Sequence, residues 1–190
     1  GNYIFHGGLG MIDEKRESGQ TNHEGVLDHQ AEPLYRININ THRYEGYMKH
    51  AFILDSNHGT NIAWMSSASM HLMDAVYGKK DYNVNEKNVY SQLMFETNFT
   101  PEHNLALGAS FNHDYLGQTY LGQRMNEKEN VVGAYAQYTY NLHEHLVAMA
   151  GVRVDHSSEY GTFVTPRFHV KWQVNDILGL RASVGKGYRT

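Results

Sequence analysis

An all-β fold is what this 190-residue chain predicts: an antiparallel meander of about nine long strands, part of a larger transmembrane β-barrel. Three observations predict it. Apolar and polar residues alternate over segments of about ten residues, the period of a strand whose two faces meet different surroundings. These segments outrun the roughly 5–6 residues typical of strands in soluble sheets. The connections between them alternate short and long, as on the two rims of an outer-membrane barrel.

The elements follow in order. Gly1–Met11 opens directly in a strand-like run, and Arg43–Leu54 continues the general strand pattern. In Thr60–Val76, Ile62, Trp64, Met70 and Leu72 alternate with Asn61, Ser67, Ser69 and His71. Asn88–Phe99 sets Val89, Leu93, Phe95 and Phe99 against Tyr90, Gln92, Glu96 and Asn98. Leu105, Leu107, Ala109 and Phe111 carry the beat through Asn104–His113. Asn130–Tyr140 places Val132, Ala134, Ala136, Tyr138 and Tyr140 on one face. His145–Val154 does the same with Leu146, Ala148, Ala150, Val152 and Val154, against Arg153. Val164, Phe168, Val170 and Trp172 mark Phe163–Gln173, and Leu178, Leu180, Ala182 and Val184 mark Ile177–Tyr188.

Short turns at Asp55–Gly59, Thr100–His103, Asn141–Glu144 and Val174–Asp176 predict a periplasmic rim. Longer polar connectors at Ile12–His42, Tyr77–Lys87, Asp114–Glu129 and Asp155–Thr162 predict extracellular loops. Trp64, Phe99, Tyr138, Tyr140 and Trp172, near strand ends, suit the interfacial girdles where amphipathic rings sit.

Composition narrows the function. The chain has 14 Tyr, 18 Gly, only 3 Pro and no Cys, which favours strands and leaves neither a disulfide framework nor a thiol nucleophile. No apolar run approaches the roughly 18 residues of a membrane-spanning helix, so a membrane would be crossed by strands. The 16 basic and 20 acidic residues are scattered, without the basic stripe of a nucleic-acid partner. An odd number of strands cannot close a bacterial single-chain barrel, so residues 1–190 are expected to be a partial β-barrel domain, with the remaining strands and any plug domain elsewhere in a parent chain.

The end of the sequence carries a resemblance. Gly133-Ala134-Tyr135-Ala136-Gln137-Tyr138, Gly151-Val152-Arg153-Val154-Asp155, Pro166-Arg167 and above all Leu180-Arg181-Ala182-Ser183-Val184-Gly185-Lys186-Gly187-Tyr188-Arg189-Thr190 resemble the barrel of TonB-dependent outer-membrane receptors, particularly those of Bacteroidetes. The resemblance implies a segment of a receptor in the outer membrane of a Gram-negative bacterium, importing a scarce nutrient such as a siderophore, cobalamin, haem or metal complex. It also implies four partners: outer-membrane lipid, a plug domain of the same parent chain, an energising periplasmic TonB-type protein, and a small-molecule or metal-complex ligand. No cofactor and no nucleic acid is implied. The residues alone leave open a plain outer-membrane barrel, a soluble β-sandwich that binds sugar or protein, or a membrane-embedded barrel hydrolase.

Candidate chemistry is sparse. Met65, His71 and Met73 share the lumen parity of one strand, and soft donors there suit a metal or haem. Residues two apart on a strand lie about 7 Å apart and residues six apart about 20 Å, so at most His71 and Met73 could share an ion, and such residues also simply line polar lumens. Asp155-His156-Ser157-Ser158 has the letters of a hydrolase triad, but triad members converge in space and are not consecutive, so it reads as a turn. His143-Glu144-His145 lacks the helical spacing of a zinc protease, and Gly185-Lys186-Gly187 lacks the rest of a phosphate loop. No catalytic residue is assigned, and an enzyme is not expected. Glu96, Arg153, Asp155, Arg167, Lys171 and Arg181 share the inward parity, as plug-docking or substrate-guiding groups or as generic wall charges.

Overall fold

The computed structural model describes residues 2–20, 35–142, 145–175 and 177–188. Among these, nine strands form one sheet in chain order, each antiparallel to the next: β1 (Tyr3–Gly19), β2 (Arg36–Asp55), β3 (Thr60–Tyr77), β4 (Lys80–Thr100), β5 (His103–Tyr120), β6 (Gln123–Leu142), β7 (Leu146–Ser157), β8 (Gly161–Gln173) and β9 (Gly179–Gly185). The predicted meander and its strand count are observed.

The long polar connectors are corrected. Most of Tyr77–Lys87, Asp114–Glu129 and Asp155–Thr162 is strand, as are the ends of Ile12–His42, because β4 begins at Lys80, β5 runs to Tyr120, β6 begins at Gln123, β7 runs to Ser157 and β8 begins at Gly161. Residues 21–34 of the first connector lie outside the described residues. The reason is physical: beyond a membrane both faces of a hairpin meet water, so alternation fades while the backbone ladder persists. Asn83↔Thr119 and Leu116↔Glu127 are still in register there. Two tight turns close these limbs. Gly78 at φ 67 fills the first central position of a two-residue turn, as a type II′ turn requires. Leu121 at φ 48 and Gly122 at φ 79 both stand in the left-handed region, the signature of type I′.

Burial is inverted relative to a soluble sheet. Ala63, Ala75, Ser110, Asp155 and Ser157 are buried, and all five stand on the polar face. Leu93, Val132, Trp172 and Val184, on the other face, are 52%, 58%, 50% and 69% exposed. A soluble sandwich would bury that apolar face, since leaving it in water forfeits about 25 cal/mol per Å². The exposed face of β3–β9 carries no Asp, Glu, Lys or Arg between its two rims, from Ile62 to Leu72 on β3 and from Val132 to Leu142 on β6. Val132–Leu142 spans about 33 Å along the strand, which at a tilt near 40° is about 25 Å of height, the hydrophobic band of an outer-membrane barrel.

The lower edge of this band, beside the turns at 56–59 and 101–102, is aromatic. The His50 ring stacks on Trp64 at 5.4 Å and accepts or donates a 2.7 Å hydrogen bond with the Tyr3 hydroxyl. The Trp64 indole donates to Ser91 Oγ at 2.9 Å, so its one polar atom is satisfied on a lipid-facing surface. His103 pairs with the Tyr138 hydroxyl, and its ring lies 5.1 Å from that of Tyr140. At the turn itself, Asp55 accepts from Asn57 N at 2.8 Å and pairs with His58 Nδ1 at 2.6 Å. The hydrogen bond from His58, then that from Asn57, hold the Asp55 carboxyl below the usual carboxylate range.

Candidate functional site

The candidate site is the polar, lumen-facing wall of β4–β9. Antiparallel partners share a face, so register assembles it across strands: Ser110↔Gly133↔Asp155↔Phe163, and Ala106↔Gln137↔Gly151↔Arg167.

Its centre is one ion pair with a buried carboxylate and a half-buried guanidinium. Arg153 Nε donates to both Asp155 oxygens at 2.8 Å, and Arg153 Nη2 lies 2.6 Å from Oδ1. The same Nη2 donates to Ser110 Oγ, two strands away, at 2.7 Å. Asp155 is 1% exposed, and a carboxylate so buried needs this bidentate partner. Gly133, between them on β6, makes the space: a Cβ there would stand 2.1 Å from Asp155 Oδ1 and 2.6 Å from Arg153 Nη2. Just past β9, Lys186 N still donates to Pro166 O at 3.0 Å, one more rung of the β8–β9 ladder, and the chain then turns inward. Tyr188 stacks on Phe163 with ring centres 4.2 Å apart, beside the Arg153–Asp155 pair. This segment and the wall enclose an open concavity of about 680 Å³, lined by Glu96, Gln137, Arg153, Arg167, Lys186 and Tyr188 among others.

Charge along this wall is polarised. Glu86, Asp114, Glu127 and Glu129 stand toward the long-limbed rim, where Asn88 donates to Asp114 at 2.5 Å and Ser157 to Glu129 at 2.6 Å. Arg167, Lys171 and Arg181 stand toward the short-turn rim, with Glu96 the exception among them, accepting from Asn104 at 2.9 Å. Arg167 donates to Gln137 Oε1 at 2.6 Å. Lys171 and Arg181 are direct cross-strand partners, and among the described residues neither has a carboxylate within 4.0 Å. Like charges directly opposite destabilise a sheet, so an anion beside this pair would stabilise it.

The sequence candidates are placed as follows. Glu96, Arg153, Asp155, Arg167, Lys171 and Arg181 all share the lumen face, and only Arg153 and Asp155 pair. His71 and Met73 are lumen-facing on β3 near the long-limbed rim, opposite Glu86 and Val84 of β4, while Met65 lies six residues lower. Among the described residues no three His, Cys, Asp or Glu side chains gather where a metal ion could be held. Ser157 accepts from Glu159 N and Tyr160 N at 3.2 Å, so the Asp155–Ser158 stretch is the end of β7 and the start of its turn. Residues 143, 144, 189 and 190 lie outside the described residues, and with them most of His143-Glu144-His145 and the final Arg189-Thr190. Sequence reasoning missed Ser110 and the spacing role of Gly133. The available signal was Arg153-x-Asp155 on one inward face, with Gly133 on the same face of the preceding strand.

A family model for "TonB dependent receptor-like, beta-barrel" matches residues 6–190. No curated protein matches the chain in sequence. Among solved structures, the siderophore receptor PirA from Acinetobacter baumannii is similar over 97% of this chain and 34% of its own, at 11% identity and a TM-score of 0.69. The alcaligin outer-membrane receptor FauA from Bordetella pertussis is similar over 92% and 31%, at 13% identity and a TM-score of 0.67. The RagAB peptide transporter is similar over 78% and 23%, at 8% identity and a TM-score of 0.57. Identities this low show the fold alone, and the chain spans between 23% and 34% of the length of these three structures.

Proposed function

The chain belongs to the TonB-dependent receptor β-barrel family of the Gram-negative outer membrane, and on that premise we propose that it forms part of the wall of an importer for a scarce nutrient: a siderophore, cobalamin, haem or metal complex. The observation that carries the reading is the inverted wall, apolar outside and charged inside, with a cationic pair at the short-turn end of the lumen that has no carboxylate within 4.0 Å among the described residues. A pore lined only for water has no need of that arrangement; a wall that receives another polypeptide does. Lys171 and Arg181 are therefore docking groups for carboxylates of a plug domain in the same parent chain, and the parent engages an energising TonB-type protein in the periplasm. His71 and Met73 are proposed as lumen-lining contacts for passing cargo, without a resident metal.

No step of this function makes or breaks a covalent bond. The wall's task is to hold a plug, and to let it shift, without opening the membrane. Structures of similar fold are named for a siderophore, for alcaligin and for a peptide, so the fold by itself does not set the cargo. The test is uptake by cells carrying the full-length parent gene, using ferric siderophores, haem and cyanocobalamin as probes, each with and without the energising partner. Partner-dependent accumulation of one probe supports the proposal. Accumulation that ignores the partner, or that equals passive entry for all three, overturns it.

A further inference from the structure

We propose that Lys87, Tyr115 and Lys128, on the outward face, bind the phosphate of an anionic glycolipid in the outer leaflet of the membrane. The three stand in one cross-strand row on β4, β5 and β6. Lys87 Nζ lies 5.9 Å and Lys128 Nζ 5.8 Å from the centre of the Tyr115 ring, so two ammonium groups bracket one aromatic within cation–π range. The ring is fixed: a Cβ on Gly117 would stand 2.8 Å from the Tyr115 hydroxyl, and that hydroxyl donates to Asn126 Oδ1 at 3.3 Å. Only glycine at 117 allows the tyrosine to lie along the strand.

Among the described residues no carboxylate lies within 4.0 Å of either lysine, and their outward neighbours Asn85, His113, Gly117 and Asn130 bear no negative charge. Height in the membrane supplies the second half of the argument. Lys87 is one outward step above Val89, and Lys128 two steps above Val132, which are the last apolar residues of the band on their strands. That is headgroup level. The polar limbs of β4–β6 extend well past it to turns at 78–79 and 121–122, whereas the opposite rim turns close to the band, so this is the extracellular side. A lipid whose acyl chains lie on Val89, Phe111 and Val132 brings its phosphate between the lysines and the CH face of its sugar over Tyr115. Phosphate supplies the missing anion, and the sugar uses the flat ring.

The inference rests on the outer-membrane placement of this face, and the experiment separates the two. The full-length receptor is purified in detergent, with heat-modifiable migration as the check that it folds as a barrel. It is then titrated with diphosphoryl lipid A, with the same glycolipid dephosphorylated, and with dioleoylphosphatidylglycerol, bound lipid being read by native mass spectrometry. Each lysine near a headgroup contributes enough that Lys87→Gln/Lys128→Gln should weaken retention of diphosphoryl lipid A roughly thirtyfold. Lys87→Arg/Lys128→Arg should retain it, as should the control Lys79→Gln/Lys80→Gln at the hairpin tip. Equal retention by the Gln variant and the unaltered receptor overturns the proposal, as does equal binding of the dephosphorylated glycolipid or of phosphatidylglycerol. A receptor without heat-modifiable migration would instead sink the membrane reading beneath it.

Discussion

Gly133→Ala tests the buried node of the lumen wall most sharply, because a matched control, Gly151, lies on the same face of the neighbouring strand. The added methyl at Gly133 would stand 2.1 Å from Asp155 Oδ1, 2.6 Å from Arg153 Nη2 and 3.0 Å from Ser110 Oγ. Asp155 is 1% exposed and cannot swing into water, so the pair must break or the strands must part. Overpacking of this kind costs roughly 1–3 kcal/mol. At Gly151, also lumen-facing, an added methyl meets its nearest atom, Arg167 Nε, at 3.4 Å, an ordinary contact. Neither glycine has a positive φ, so each substitution also gains the roughly 0.4–1 kcal/mol that alanine confers by restricting the unfolded chain. Gly151→Ala is expected to be neutral or slightly stabilising and Gly133→Ala destabilising, by urea unfolding of the full-length receptor in liposomes. Once Asp155→Ala has removed the obstructing oxygen, adding Gly133→Ala should cost little more, the non-additivity expected of residues in contact. Equal responses at the two glycines, or strict additivity with Asp155→Ala, would refute the reasoning.

Three further outcomes are expected. Leu121→Asn should stabilise the β5–β6 hairpin by about 1 kcal/mol in the same unfolding assay, since asparagine tolerates the left-handed backbone that Leu121 holds at φ 48. Lys171→Glu should gain about 0.2–1 kcal/mol in wall stability by pairing with Arg181 across the strands, yet reduce partner-dependent uptake of the transported probe by removing a docking charge. A gain in both would argue against docking. Asp55 is held below the usual carboxylate range by His58 and Asn57, so its contribution to the turn is complete above a pH of about 4 and is lost as pH falls through the lowered value. The difference in unfolding midpoint between the unaltered protein and Asp55→Asn should accordingly stay constant near neutrality and shrink in acid; a difference that grows in acid would contradict the assignment.

The membrane-spanning strands were legible because lipid and lumen impose opposite demands on alternate residues. Leu93 and Phe95 against Gln92 and Glu96, or Val152 and Val154 against Arg153 and Asp155, report that contrast without any tertiary information. Where the contrast ends, so did the reading: Asn83, Asn85 and Lys87 look like loop, yet they hold ladder register because nothing outside the membrane requires alternation of them. The inward set of charges was legible from parity, whereas their pairing was not. Arg153 chooses Asp155 and Ser110 because Gly133 leaves room on the intervening strand, which needs the register of β5, β6 and β7 together. The juxtaposition of Lys171 and Arg181 likewise depends on the β8–β9 pairing. Tyr188, expected within the last strand, instead folds onto Phe163, because β9 ends at Gly185.

The central claim is that one face of this sheet meets lipid and the other a lumen, and β6 tests it directly. Residues 1–190 contain no cysteine, so in a parent receptor freed of any cysteine elsewhere each single-cysteine variant from Val132 to Tyr140 contributes one labelled position when coupled to an environment-sensitive fluorophore. In the full-length receptor, reconstituted into vesicles containing nitroxide-labelled lipid, the account predicts strong quenching at Val132, Ala134, Ala136 and Tyr138 and weak quenching at Gly133, Tyr135, Gln137 and Thr139. Quenching of the opposite parity, or without a two-residue period, would contradict it.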